Sequence, residues 1–268
     1  MSSWDLGVEW PRGRGTKVYD LAHALAPGIP HGPVHPPFSF SMTKLHGDIV
    51  YKGGTSMVAE MFTTGGHVGT HIDAAAHISR DGKVSGGREV IGHQSYGGGV
   101  EVGSILEVRP FLGPGFLVDM PTLLGRDLTA SDVIGGAELE RWFAAHGPLV
   151  PGAAILIRTG WAKRWPTASY ISWSQSAAMG APGVDLSGAE WLSSHGARLT
   201  GSDTMSYEQP NPANPVHVHL LLDEDIPIME SLNLEALAAD QRWSFFFVGA
   251  PIKIAGATGA PLRPLAIV

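Results

Sequence analysis

Glycine and proline punctuate this chain from end to end: 35 glycines and 20 prolines are spread through 268 residues rather than gathered in one linker. A chain interrupted so often folds into short elements joined by many turns. It shows no internal repeat and no low-complexity block, so we read one continuous domain over residues 1–268. Seven short apolar runs fit as strands: 17–22, 115–120, 153–161, 197–203, 226–232, 243–251 and 262–268. Helix patterns are fewer. Within 129–147, Leu139, Trp142 and Phe143 are apolar at helical spacing, with Thr129 or Ser131 as the expected cap and Gly147 as the stop. Within 185–196, Ser187 is the expected cap and Gly196 the stop, and a shorter helix is expected over 233–240. Strands outnumber helices, which predicts a mixed α/β domain rather than an alternating βαβ chain.

Composition removes several function classes. With 18 basic and 25 acidic side chains the formal charge is −7, and no basic cluster forms a footprint for nucleic acid or a membrane surface. The absence of cysteine rules out disulfides and thiolate ligands, so a metal site must use His, Asp, Glu or water. Segment 1–21 holds no apolar region of signal-peptide length, and no run approaches 18 apolar residues. The expectation is a cytoplasmic protein with a small-molecule partner.

The stretch Gly65–His77, GGHVGTHIDAAAH, concentrates potential ligands. A single histidine is usually a surface or hydrogen-bonded residue, but here His67, His71, Asp73 and His77 fall within eleven positions. On an extended segment His71 and Asp73, two apart, share one face. Gly69 permits the bend that brings His67 back toward them. Glycine and alanine leave space around an ion, and nitrogen with carboxylate oxygen suits Zn²⁺, Mn²⁺ or Fe²⁺. The zinc-protease pattern does not apply: it needs Glu directly after the first His on a helix, and Val68 stands there before Gly69-Thr70. A second cluster lies at 214–232, where His217 and His219 are two apart and Glu230 is a carboxylate within an apolar run, which calls for a partner.

The pattern His-x-Gly-Thr-His-x-Asp-x-x-x-His resembles the signature of the metal-dependent cyclase family, which includes kynurenine formamidases and isatin hydrolases. His67, Gly69, Thr70, His71, Asp73 and His77 match it throughout. The likeness extends to the opening DLAHALAPGIP, the central AAILIRTGWAKRW, the block 181–208 and the C-terminal end 247–268. It implies the family's swivelling β/β/α fold, a mixed sheet with flanking helices, in a homodimer or larger oligomer. It also implies that His67, His71 and Asp73 hold a divalent ion, Zn or Mn. Asp73 would bridge to a second ion where two bind, Glu230 would be a late ligand and His77 the proton donor and acceptor. For the late histidine both His217 and His219 qualify, and the family's spacing to Glu230 favours His217. Two departures stand out. Gly32 occupies the place of a substrate-contacting tryptophan of kynurenine formamidases, and Glu208 stands where the family has aspartate.

The resulting expectation is a metal-dependent hydrolase, acting through metal-activated water on a lactam, aryl formamide, other amide or ester, with His77 as general acid and base. The alternative is a cyclase or dehydratase using the same ion on a polyketide-like or hydroxy-acid substrate. A distant third is a non-catalytic binding protein stabilised by metal, which would leave His77 without a role. Thr70 and Ser206 read as fold residues, since neither sits in a G-x-S-x-G elbow. Trp161, Trp165 and Trp173 are expected to line a pocket. His31 and His35 face either the substrate or solvent, and the C-terminal GATGAPLRP reads as a turn-rich loop.

Overall fold

The computed structural model describes residues 16–171 and 180–268. Each of the seven apolar runs forms a strand of one nine-stranded sheet. In chain order the strands are β1 (Val18–Asp20), an outlying pair β2 (Ser39–Lys44) and β3 (Ala59–Thr63), β4 (His71–Asp73), β5 (Phe111–Asp119) and β6 (Ala154–Arg158). They continue with β7 (Leu199–Ser202), β8 (Ile228–Glu230), β9 (Ser244–Gly249), β10 (Gly259–Pro261) and β11 (Leu265–Ile267). The sheet order is β1-β11-β9-β5-β6-β7-β8-β4-β10. Its middle, β5 to β8, is parallel, and the strands added on either side are antiparallel.

The parallel centre is buried on both faces, which is why Ala154–Ile157 of β6 are apolar at every position instead of alternating. Leu117, Leu156, Leu199 and Met229 pack with Phe247 and Leu237 on one side. Val118, Ile155, Ile157 and Ile228 pack on the other under two helices, α1 (Gly136–His146) and α2 (Leu186–Ser194). Those helices contribute Leu139, Trp142, Ala189 and Leu192 to the second core.

Both expected helix caps shift. Val133–Ile134 pair in parallel with Gly183–Val184, so the chain is still extended at Ile134 and α1 starts only after Gly135. Its first turn is closed by Gly135 N donating to Glu138 Oε2 at 3.1 Å. Thr129 and Ser131 belong to the turn before, where Asp132 accepts from Thr129 N and Oγ1. In α2 the cap is Asp185, accepting from Gly188 N at 2.9 Å, while Ser187 lies inside the first turn and donates to Asp185. Gly147 ends α1 with φ +100°, its N–H donating to Phe143 O.

Two further helical pieces matter for the site. Pro215–His217 form one turn, α3, with proline at its start, and it continues as a π-helical stretch, Val218–Asp223. Glu235–Ala239 form α4. Residues 256–264, read from the sequence as a loop, instead contain β10, which has no strand-like composition and exists by pairing with β4.

Candidate metal centre and active-site pocket

The ligand-rich motif folds as a bend, a strand and a turn. His67 precedes Gly69, whose φ of +69° takes the chain through the left-handed region. A Cβ there would lie 2.5 Å from Leu25 Cδ2, so the position suits glycine on two counts. The chain then enters β4, where alternation sends His71 and Asp73 to one face and Ile72 into the core. His71 pairs directly across from Glu230 in β8, and Asp73 across from Gly259 in β10. Gly259 gives His67 its room: a Cβ on it would come within 2.4 Å of His67 Cε1.

The donor atoms converge. His67 Nδ1 lies 2.6 Å from Asp73 Oδ1, and His71 Nε2 lies 3.4 Å from both Asp73 Oδ1 and Glu230 Oε2. His217 Nε2 lies 3.3 Å from Glu230 Oε1 and 3.9 Å from Asp73 Oδ2. Two sets of three could each hold an ion, His67-His71-Asp73 and Asp73-His217-Glu230, and Asp73 belongs to both. Outer contacts fix each ring, as in metal sites generally. His71 Nδ1 donates to Gly69 O at 2.8 Å, turning Nε2 inward. His67 Nε2 meets Thr258 Oγ1 at 3.0 Å. His217 Nδ1 is held by the carboxylate of Glu208, which also accepts from the backbone N–H of Val216 and His217.

His219 goes elsewhere. The sequence permitted His217 and His219 to share a face, but on a helix residues two apart point to different sides. His219 Nε2 meets Ser193 Oγ of α2 at 2.9 Å. His77 ends a 3-10 turn, Ala75–His77, and its ring stacks on His67 with centroids 3.9 Å apart. Beside it lies His35, 5.1 Å from His67 and 6.4 Å from His77. Gly32, Val34, His35, His77, Met205 and Asn214 border a cavity of about 190 Å³ that opens onto His67, His71, His217 and Glu230.

The electrostatics fit a cation. Burial disfavours charge on His71, yet hydrogen bonds to Asp73 and Glu230 outweigh it and raise its pKa to about 10. His217 is raised to about 10 in the same way, by Glu208 and Glu230. Protons on these two imidazoles thus balance the carboxylates, the task a divalent ion would take over on displacing them. His77 is the opposite case: burial, helped by the charges of His67 and His217, lowers it to about 4, so it is neutral and able to accept a proton at pH 7. One atom remains uncompensated. Asp73 Oδ2 is buried without a hydrogen-bond partner, at the junction of the two ligand sets. A buried carboxylate oxygen so placed costs free energy unless something positive meets it, and a donor set of imidazole nitrogen and carboxylate oxygen suits Zn or Mn.

Some expected site residues lie outside this group. Thr70 is a fold residue, with Oγ1 donating to Ser231 O and accepting from His23 N. Trp161 donates to Tyr170 O and Trp165 stacks on His23, so neither indole borders the cavity; Trp173 lies outside the described residues. His31 turns its Nδ1 to Gly32 O. Thr258 was not marked by the sequence as a support of the cluster, and Glu208 was marked only as a departure from the family's aspartate; folding brings both to the cluster. Buried Asp203 is a third support. It accepts from Thr159 N, Thr159 Oγ1 and Gly160 N, tying the loop that carries Met205 and Glu208 to the end of β6.

Comparison with known proteins agrees with the geometry. The family described as "Putative cyclase" matches residues 19–209. The isatin hydrolase of Roseibium aggregatum is 26% identical over 263 residues, covering 94% of this chain and 92% of that protein. The kynurenine formamidase of Sphingopyxis alaskensis is 26% identical over 253 residues, covering 93% and 97%. The crystal structure of a protein described as a novel cyclase superposes with a TM-score of 0.84 at 26% identity, over 95% of this chain and 88% of that one. That structural match carries the same α/β class, a mixed sheet with flanking helices. The family match spans most of the chain and includes the whole motif from His67 to His77; this chain belongs to the cyclase family.

Proposed function

We propose that this protein is a metal-dependent hydrolase that cleaves the C–N bond of a small cyclic or linear amide, a lactam or an aryl formamide, or the corresponding ester. The observation that carries the reading is the buried, unpartnered Asp73 Oδ2 set between two ligand sets, with a neutral His77 at the adjoining cavity. His67, His71 and Asp73 would hold one ion, and Asp73, His217 and Glu230 a second. An ion held there supplies Lewis acidity toward a carbonyl and acidifies water. His77 accepts the proton released as water adds to the carbonyl carbon. It returns that proton to the departing nitrogen as the C–N bond breaks, leaving a carboxylic acid and an amine. Asp73 and Glu230 hold the negative charge that keeps cations at this spot. Glu208 fixes His217 so that its Nε2 faces inward.

The cavity favours compact substrates, since about 190 Å³ is below the roughly 300–1,000 Å³ of most ligand pockets. Gly32 borders it, so no indole stands at that place, which weighs against N-formylkynurenine and toward other aryl or lactam amides. The names of the relatives, isatin hydrolase and kynurenine formamidase, point to the same bond class.

The test is elemental analysis of protein purified without added metal, coupled to hydrolysis assays on isatin, N-formylkynurenine and simple lactams. One or two equivalents of Zn or Mn are expected, with hydrolysis lost on chelation and restored on reloading. Retained metal without hydrolysis of any of them would move the reading to cyclase chemistry, and no metal after reconstitution would remove the site assignment. The late ligand has its own check. His217→Ala is expected to lower the metal content and depress turnover by at least about tenfold, as loss of an ion's contribution implies. His219→Ala should leave both within about twofold. Equal loss from the two variants would contradict the choice of His217.

A further inference from the structure

A second, larger cavity lies apart from the ligand sets. It encloses about 390 Å³, within the roughly 300–1,000 Å³ of most ligand pockets, and no donor of either ligand set borders it. It sits where the parallel strands begin. Arg109 and Phe111 border it at the start of β5, Arg198 and Leu199 at the start of β7, and Pro227 just ahead of β8. Ile72 borders it as well, on the face of β4 that alternation sets opposite His71 and Asp73. Among the described residues, neither the Arg109 nor the Arg198 guanidinium has a hydrogen bond or an ion pair; Arg198 only lies over the Phe111 ring, 5.9 Å from its centroid. Ser104, 5% exposed, also borders the cavity, and its hydroxyl has no hydrogen-bond partner among the described residues. Two carboxylates share the space. Glu107 is already engaged, accepting from Arg88 Nη1 at 2.7 Å and from Gly103 N at 2.6 Å. The Asp225 side chain has no such partner among the described residues, so two free guanidiniums stand against one free carboxylate.

We propose that this second cavity binds a small organic anion, a carboxylate carried on an apolar ring. A guanidinium presents paired N–H donors that match the two oxygens of a carboxylate. The Ser104 hydroxyl can donate one more hydrogen bond. Ile72, Val108, Phe111, Leu199 and Leu221 supply apolar wall that takes the ring out of water. The excess of positive charge selects an anion over a cation or a neutral molecule. Inorganic phosphate satisfies the arginines but leaves that wall without a partner, so the apolar body is part of what the cavity recognises. The bound anion packs against the reverse side of the strand that carries His71 and Asp73 while touching neither ligand set. The assignment is independent of the proposed hydrolysis, since it uses none of the residues assigned to it.

Isothermal titration of the full chain with benzoate reads this binding without any activity assay. One saturable, arginine-dependent equivalent is expected, with acetate and inorganic phosphate each at least about tenfold weaker because neither carries a ring to bury. The double variant Arg109→Gln with Arg198→Gln, at two exposed positions, should weaken benzoate at least about tenfold with far-UV circular dichroism unchanged. Asp225→Asn removes the opposing charge at a left-handed position, φ +54°, that asparagine tolerates, and should hold or tighten benzoate. Absence of saturable binding overturns the proposal, as does phosphate or acetate binding as tightly as benzoate. Weaker binding by Asp225→Asn also counts against it. Benzoate binding that survives the arginine changes, or that vanishes only when metal is stripped, would place the anion at the metal centre instead and overturn the assignment to this cavity.

Discussion

Asp73→Ala is expected to abolish metal retention and hydrolysis together. Asp73 is the one residue common to both ligand sets, it is fully buried, and its Oδ1 is the contact that anchors His67. Its removal leaves each set with two donors, strips His67 of its carboxylate partner and leaves His71 only that of Glu230. An ion contributes several kcal/mol of transition-state stabilisation, and about 1.4 kcal/mol is a factor of ten in rate, so turnover should fall by roughly three orders of magnitude or more. Metal content by elemental analysis and initial rates on the substrate identified by the screen check the two halves separately. A variant that keeps a full complement of metal would show that the two sets do not meet at Asp73.

His77→Ala should separate what Asp73→Ala joins. His77 belongs to neither ligand set; it meets the cluster through its stack on His67 and a tilted ring contact with His217, and borders the cavity. Metal content is expected to stay at the wild-type level while kcat falls by ~10²–10⁴-fold, the usual contribution of a positioned acid–base group. The acid limb of the pH–rate profile, set by a group that must be neutral to accept a proton, should disappear with the side chain. Near-wild-type turnover would move the proton-transfer role to another group, His35 being the nearest imidazole without a place in either set.

The site's centre was legible because its residues are local. His67, His71, Asp73 and His77 lie within one short stretch, and the physics that groups them, a bend at Gly69 and the alternation of β4, acts over a few residues. The most buried of the apolar runs were legible for a similar reason, since burial on both faces leaves an unbroken apolar signature such as Ala154–Ile157. What escaped is defined by long-range pairing. β10 reads Gly-Ala-Pro, a composition that argues against a strand, yet it forms the edge against β4. Thr258 orients His67 from a position with no local pattern to mark it, and Glu208, noted in the sequence only as a departure from the family's aspartate, holds His217. The hairpin β2–β3 did carry a signal, the alternation Ser-Phe-Ser-Met-Thr over 39–43, but it is that of a strand with one wet face, and its surroundings give no sign of a core. The two late histidines, both left open by the sequence with His217 favoured, are told apart by the fold. The proline-started turn and the π-helical stretch after it send them apart, His219 to Ser193 and His217 to Glu230.

β4 is only three residues long, and both of its neighbours are antiparallel to it. A slip of one residue would turn Ile72 toward the cavity and press an imidazole and a carboxylate into the hydrocarbon core. No intermediate register is tolerable, so the sheet edge and the ligand geometry form in a single event. An ion bound there would tie two strands, β4 through His71 and Asp73 and β8 through Glu230, with β10 joined to them by pairing with β4, and amide hydrogens of β8, β4 and β10 should exchange with solvent together, slowing as one unit when metal is added.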